Sequence, residues 1–442
     1  MKKNLYIALL LVCLPTRALA EGPATAVPDT TAQHVQLQLD YLARGQVIDG
    51  ALPKPSDPDV VPEKTVYYLE NRLRLRVLYQ YRSWLEVSAQ LHGGAVWGSS
   101  SSLGVSLREA RVAFRAPFGL FAELGRMPLA YDDERIIGAN DWSMTGFTHD
   151  LLRLGYEGHG HKVHAMLAFN HTGDILNGSN YYDAAVTGIP YKSMTNLWYH
   201  YEHPAFPLGV SALFMNIGMQ AGRENDPDLP PSTVYQQVFG GYAKYHPWFM
   251  TLEASGYYQR GQDVVEKQVP YRVKAWMVSA KADIHYDKRY GFVLGYDYLS
   301  GDEVPIPTFV RKGFRPVYGS RHKFLGIMEY FYESAYRGVS PGLQNAYLGV
   351  HTTPVKGLSA SVNVHYLAMA SDWTHTLPGR SLGTSLDIGV GYHFNNFISL
   401  TAHFDYMHGT DTLLQLKRYG SPNVFWAWLS ITVNPTVLDW KK

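Results

Sequence analysis

The stretch Tyr67–Arg82, YYLENRLRLRVLYQYR, decides how the chain is read. Leu69, Leu73, Leu75, Val77 and Tyr79 alternate with Glu70, Arg72, Arg74, Arg76 and Gln80. A strand sends successive side chains to opposite faces, so one face here is apolar and the other carries three arginines. In a soluble sandwich the apolar face turns inward and the arginines sit in water. In a transmembrane barrel the apolar face meets lipid and the arginines line an aqueous interior. An Arg or Lys aimed at lipid near the midplane costs about 2–4 kcal/mol, so charge has to share the bore.

The N-terminus reads as a signal. Lys2 and Lys3 precede the apolar run Leu5 to Leu14, and Ala18-Leu19-Ala20 offers a cleavage site after Ala20. Export removes Cys13, the one cysteine, which excludes disulfide frameworks, thiolate catalysis and zinc–cysteine sites. Subtracting Lys2, Lys3 and Arg17 from the 39 basic residues leaves 36 against 38 acidic ones. That balance gives no reason to expect nucleic acid as a partner. No later segment is long and apolar enough for a helical span, while Tyr (32) and Gly (40) are abundant.

Residues 21–33 read as a periplasmic lead-in, 34–436 as a barrel and 437–442 as a C-terminal tail. Tight turns fall at Arg82-Ser83, Ala116 to Gly119, Gly158 to His161 and His203 to Leu208. Four more fall at His246-Pro247, Asp287 to Tyr290, Pro354 to Gly357 and Asn395-Asn396. Longer connections alternate with them, among them Asp132 to Thr148, Thr172 to Tyr191 and Gly301 to Gly342. Short turns on one side and long loops on the other belong to outer-membrane barrels. The expected fold is therefore all-β, a transmembrane antiparallel β-barrel of about 18 strands. A large secreted all-β protein would share the alternation but not this asymmetry.

Other segments repeat the pattern. Leu213, Met215 and Ile217 oppose Phe214, Asn216 and Gly218, and Trp276, Val278 and Ile284 oppose Ser279, Lys281, Asp283 and His285. Trp84, Trp97, Tyr156, Trp248, Tyr286, Tyr290 and Tyr392 recur near segment ends, as interfacial girdles do. The aromatic segment Val424 to Val433 is expected to close the sheet against His34 to Ile48.

Parity assigns Asp40, Arg44, Glu70, Arg72, Arg74, Arg76, Glu109, Arg111, Arg115, Arg153 and Glu157 to the interior of the early wall. Glu202, Lys244, Glu253, Lys281, Asp283, Asp297, Asp387 and Asp405 fall on a later, mostly acidic wall. The arginines can pair with acids as a stiffening ladder. They can also form a track for an anion, since the planar guanidinium grips both carboxylate oxygens.

From Leu103 to Asp150 the chain resembles the alginate-export outer-membrane family. The resemblance is carried by Leu124-Gly125-Arg126, Tyr131-Asp132-Asp133-Glu134-Arg135, Gly138, Asp141-Trp142 and Asp150. Asn71 to Leu75, Val96 to Gly98, Tyr296 to Gly301 and Tyr318 to Tyr332 fit more weakly. Glu329 stands where relatives often have aspartate. The resemblance implies that Arg74, Arg111, Arg126, Arg135 and Arg153 belong to a polyanion path and that Asp132, Asp133 and Asp141 fix a loop over it. Arg72, Arg76 and Arg115 join that path by parity. Arg321 and Lys323, in a basic cluster with Arg311, Lys312, Arg315 and His322, are candidates for a constriction or cap.

The expected function is passive passage of an anionic polysaccharide or oligosaccharide, uronate-like by resemblance, through the bacterial outer membrane. The partners are that cargo, outer-membrane lipid and any periplasmic export or uptake proteins; no cofactor and no metal is called for. The alternative is a general or anion-selective porin for small solutes. A barrel-embedded hydrolase would use pairs such as His403 with Asp405 or His285 with Asp283, but neither shows a third member. His159-Gly160-His161 sits on a tight turn without a third metal ligand.

Overall fold

The computed structural model describes residues 32–50, 65–99, 102–184, 191–223, 226–265, 269–302, 310–326, 340–372, 377–417 and 422–442. The expected signal, most of the lead-in, Glu329 and Tyr332 lie outside these residues. The early strands are β1 (Gln33–Asp49), β2 (Thr65–Tyr81), β3 (Leu85–Val96), β4 (Ser102–Arg115), β5 (Leu120–Met127), β6 (His149–Gly158) and β7 (His161–Phe169). They are followed by β8 (Ser193–Glu202), β9 (Leu208–Ala221), β10 (Ser232–Tyr245), β11 (Met250–Val265), β12 (Val269–His285) and β13 (Tyr290–Leu299). A two-residue β14 (Val310–Arg311) runs parallel to β12. The wall continues with β15 (Leu343–Thr352), β16 (Leu358–Ala368), β17 (Ser381–His393), β18 (Ile398–Gly409), β19 (Asn423–Val433) and β20 (Thr436–Lys441).

Neighbours in the chain pair antiparallel, β13 pairs with β15, and β19 returns to β1 with Val433 opposite Tyr41 and Phe425 opposite Asp49. The result is a closed antiparallel barrel of 18 staves. Closure leaves no unpaired edge, which lipid would penalise heavily. All eight tight turns fall where the sequence puts them. The first and last described residues meet at the same mouth: Ala32 N donates to Lys442 O at 2.7 Å, and Lys442 N donates to Gln33 O at 2.9 Å.

That junction corrects the expected tail. Residues 437–442 are not an appendage, because β20 pairs with His34 to Gln38 of β1 and prolongs the last stave. Pro435 lacks the N–H a ladder needs, so the stave breaks at Asn434-Pro435 and resumes with a register shift between Leu37 and Gln38. Pro435 O still accepts from Leu39 N at 3.1 Å, which keeps the seam bonded.

The deciding stretch faces as a membrane barrel requires. Leu73, Leu75 and Val77 are 46%, 37% and 43% exposed on the outside, while Arg72, Arg74 and Arg76 are 1%, 3% and 8% exposed within. The outward row elsewhere is also apolar, with Trp276, Val278, Leu294, Phe292 and Leu348 on it. The rule of apolar out and polar in nevertheless fails on one wall. Leu213, Met215 and Ile217 point inward, where they join Met166, Met194, Val238, Tyr257 and Met277. They pack against Met127, Leu129, Tyr131, Ile136, Ile137 and Tyr318, so the loops after β5 and β13 fold into the bore and bury an apolar core there. A lumen-facing Leu is favourable once protein rather than water covers it.

Candidate functional site

Arg44, Arg72, Arg74, Arg76, Arg108, Arg111, Arg115 and Arg153 line one inner wall and share the carboxylates of Asp40, Glu70, Glu86, Glu109, Glu123 and Asp141. Arg44 Nε donates to Glu70 at 2.9 Å, and Arg76 Nε lies 3.4 Å from Glu109. Arg111 reaches Glu86 at 2.6 Å and Glu109 at 2.8 Å. Glu123 takes Arg115 at 3.0 Å and both Nε (2.8 Å) and Nη2 of Arg153. Strand alternation places each of these except Arg108. There the pairing of β3 with β4 shifts between Gln90 and Leu91, and the extra residue turns Arg108 inward beside Glu109.

The loop between β5 and β6 clamps onto this wall. Asp141 accepts from Arg74 Nη1 at 2.5 Å and Arg108 Nη2 at 2.9 Å, with Arg72 Nη2 at 3.8 Å. These three cations outweigh burial and hold its carboxyl down at about 2. Arg72 Nη1 also donates to the carbonyls of Asp141 and Ser143, at 2.5 and 2.9 Å. Arg44 stacks 3.7 Å above Trp142 and donates to its carbonyl. Gly146, at φ +67°, lies against the Arg108 guanidinium, where a Cβ would come within 2.2 Å of Nη1. Arg72 and Arg74 are thus covered by the loop they anchor.

The other end of the loop holds the remaining predicted residues. Arg135 bonds Asp133 at 3.2 Å and reaches across to Asp297 at 3.1 Å and Ser279 at 3.0 Å. Asp132 accepts from Trp198 Nε1 at 3.1 Å, and its burial raises its carboxyl to about 6. Glu134 binds Lys323 Nζ at 3.2 Å and Ser320 Oγ at 2.7 Å, while Ile137 bridges to Tyr318. Lys323 therefore joins the two inward loops; the side chain of Arg321 lies outside the described residues. Between the loops and the wall from β10 to β18 lies a cavity of about 350 Å³. Its charged lining is acidic on balance: Asp132, Asp133, Glu134, Asp141, Glu253, Asp297 and Asp387 stand against Arg135, Lys244, Lys281 and Lys323.

Of the residues expected on the path, Arg72, Arg74, Arg76 and Arg111 are buried in ion pairs, and Arg115 and Arg153 are partly open. Arg126 is a correction. It continues the outward row of Leu124 and pairs with Asp150 on the outer face, at 2.6 and 2.8 Å, rather than lining the bore. The two charges neutralise each other near the end of β5, which makes that position tolerable. Glu86 and Glu123 were missed although the same parity marks them; Arg108 was missed because a bulge breaks parity.

The pairs a hydrolase would use are not hydrogen-bonded to each other. Among the described residues His403 stacks on Trp428 at 4.4 Å while its Nδ1 and both Asp405 carboxylate oxygens lack a hydrogen-bond partner, and Asp283 bonds His351. His159 and His161 bond Tyr156 and Tyr199 around their turn.

The sequence matches no protein-family model and no curated protein. Solved structures do match. OpdQ of Pseudomonas aeruginosa aligns with TM-score 0.59 at 13% identity, covering 92% of this chain and 98% of its own. OccK2 (OpdF) of the same organism gives 0.60 at 11%, covering 91% and 98%. OpdK, solved with vanillate, gives 0.59 at 12%, covering 91% and 99%. At these identities the likeness is one of fold.

Proposed function

We propose that the chain is a passive outer-membrane channel for small anionic solutes of the carboxylate class, single uronate units included. Its support is one observation: the wall from β1 to β6 carries eight guanidiniums against six carboxylates of its own, Glu157 included, with Asp141 of the covering loop as a seventh, and the cavity lies beyond that loop, against the wall from β10 to β18. A row of guanidiniums in a low-dielectric bore attracts anions, and carboxylates already holding the guanidiniums keep binding weak enough for release. Two inward loops and a cavity of about 350 Å³ suit a small molecule, for which sites run from about 300 to 1,000 Å³. They favour this over threading a polymer. Vanillate, the molecule with which OpdK was solved, is itself a small carboxylate. The outward apolar row is the surface for outer-membrane lipid.

The test is single-channel recording in planar bilayers under a salt gradient. The reversal potential should show anion preference, and glucuronate should reduce current more than long oligouronates do. Arg115→Gln with Arg153→Gln, the two partly open guanidiniums, should lower anion preference about two- to tenfold, as expected for loss of two weakly screened charges. Cation preference in the unaltered channel, or block by long oligouronates alone, would overturn the assignment.

A further inference from the structure

At the short-turn mouth, on the wall opposite the arginines, three side chains converge that the channel reading leaves idle. Asp283 and His285 alternate inward on β12, two and zero residues from its end. His351 comes from β15, one residue from its end. In the ladder His285 lies opposite Gly291 of β13, and Gly291 lies opposite His351. Strands in a sheet are about 4.8 Å apart, so two histidines separated by an intervening strand ordinarily cannot share a ligand. Gly291 removes the obstacle. A Cβ there would stand 2.3 Å from His351 Nε2, so the imidazole leans across the space a side chain would fill. It arrives 2.9 Å from Asp283 Oδ1, and the two rings lie 6.1 Å apart between centroids. One donor atom from each of the three residues falls within 4.8 Å of the others.

We propose that Asp283, His285 and His351 form a divalent transition-metal site. Ligand atoms bound about 2.0–2.2 Å from one zinc ion lie about 3–4 Å from each other, so a small rotation of His285 closes the set. Two imidazoles and one carboxylate suit zinc, copper, nickel or cobalt, and not calcium or magnesium, which favour oxygen. Three protein ligands leave a position open to water from the bore. The metal takes the place of the proton shared by His351 Nε2 and Asp283, and that proton passes through water to Nδ1. The neighbouring Lys281 ammonium is engaged by Glu253 at 3.1 Å, which tempers its repulsion of the ion.

The experiment uses tag-free, full-length barrel in detergent, titrated with cobalt(II) and then zinc. One equivalent of cobalt should give ligand-field bands that one equivalent of zinc removes. X-ray absorption on the zinc form should show two imidazoles in the first shell. His285→Ala and His351→Ala should each weaken binding by at least about tenfold, the lower bound seen even for outer-shell changes, while His161→Ala leaves it unchanged. Absence of stoichiometric binding, a first shell with fewer than two imidazoles, or binding indifferent to both alanine variants would each overturn the site. Should either variant lose the barrel, seen as loss of its heat-dependent gel mobility, the absorption spectrum of the unaltered protein decides.

Discussion

Asp132 is one residue of the candidate site whose charge is set to change near neutral pH. Its carboxylate is buried against Trp198 and gains only part of its lost hydration from that bond and from Ser211, so the acid titrates at about 6. A raised folded-state value means that the fold binds this proton more tightly than the unfolded chain. Stability contributed by the neutral acid is complete below about pH 4 and is lost as pH rises through about 6. Over the same interval the cavity gains a negative charge. Anion preference should therefore fall between about pH 5 and pH 7, with a midpoint near 6, and Asp132→Asn should abolish that step. Recordings of reversal potential against pH check it; a step of equal size in the variant assigns the titration to another group.

At the level of elements, the loop between β5 and β6 owes its position to Asp141, which three guanidiniums hold. Its carboxyl, held down at about 2, makes that contribution full above about pH 4 and lost as pH falls towards about 2. Asp141→Asn leaves buried cations short of a partner, a change that costs about 3–5 kcal/mol. The loop should lift from the arginine wall, so conductance and its noise should rise while the barrel persists; limited proteolysis between residues 132 and 148 reports the release. Sequence made the turns legible because Gly, Pro, Asn and Asp mark them, and it made the staves legible through a period of two. It did not reveal what period two cannot encode. A bulge turned Arg108 inward, and burial under an inward loop gave Leu213, Met215 and Ile217 a lumenal side; Arg126 obeys parity and faces out with Leu124, and only the resemblance set it on the path. Nor could parity separate an arginine open to cargo from one covered by its own loop, as Arg72 is by Asp141 and Ser143.

For the molecule as a whole, closure depends on a stave in two pieces. β19 covers β1 from Tyr41 to Asp49, and only β20 covers it from His34 to Gln38. His34 Nε2 binds Asp439 at 2.7 Å, and the C-terminal Lys442 exchanges backbone hydrogen bonds with Gln33. Removing residues 436–442 would strip the ladder from that half of β1 and leave its N–H and C=O groups facing lipid and headgroups. Each such group costs several kcal/mol where water is excluded and less near the interface. The shortened barrel should thus lose its heat-dependent gel shift at a markedly lower temperature, and a Trp440→Ala change, which keeps every backbone bond, should lower it far less. If truncation and the single substitution had equal effects, the seam would be held by the outward aromatic side chain rather than by backbone pairing. The break at Asn434-Pro435 would then be a flaw the barrel tolerates, since the strand beyond it would contribute no closure of its own.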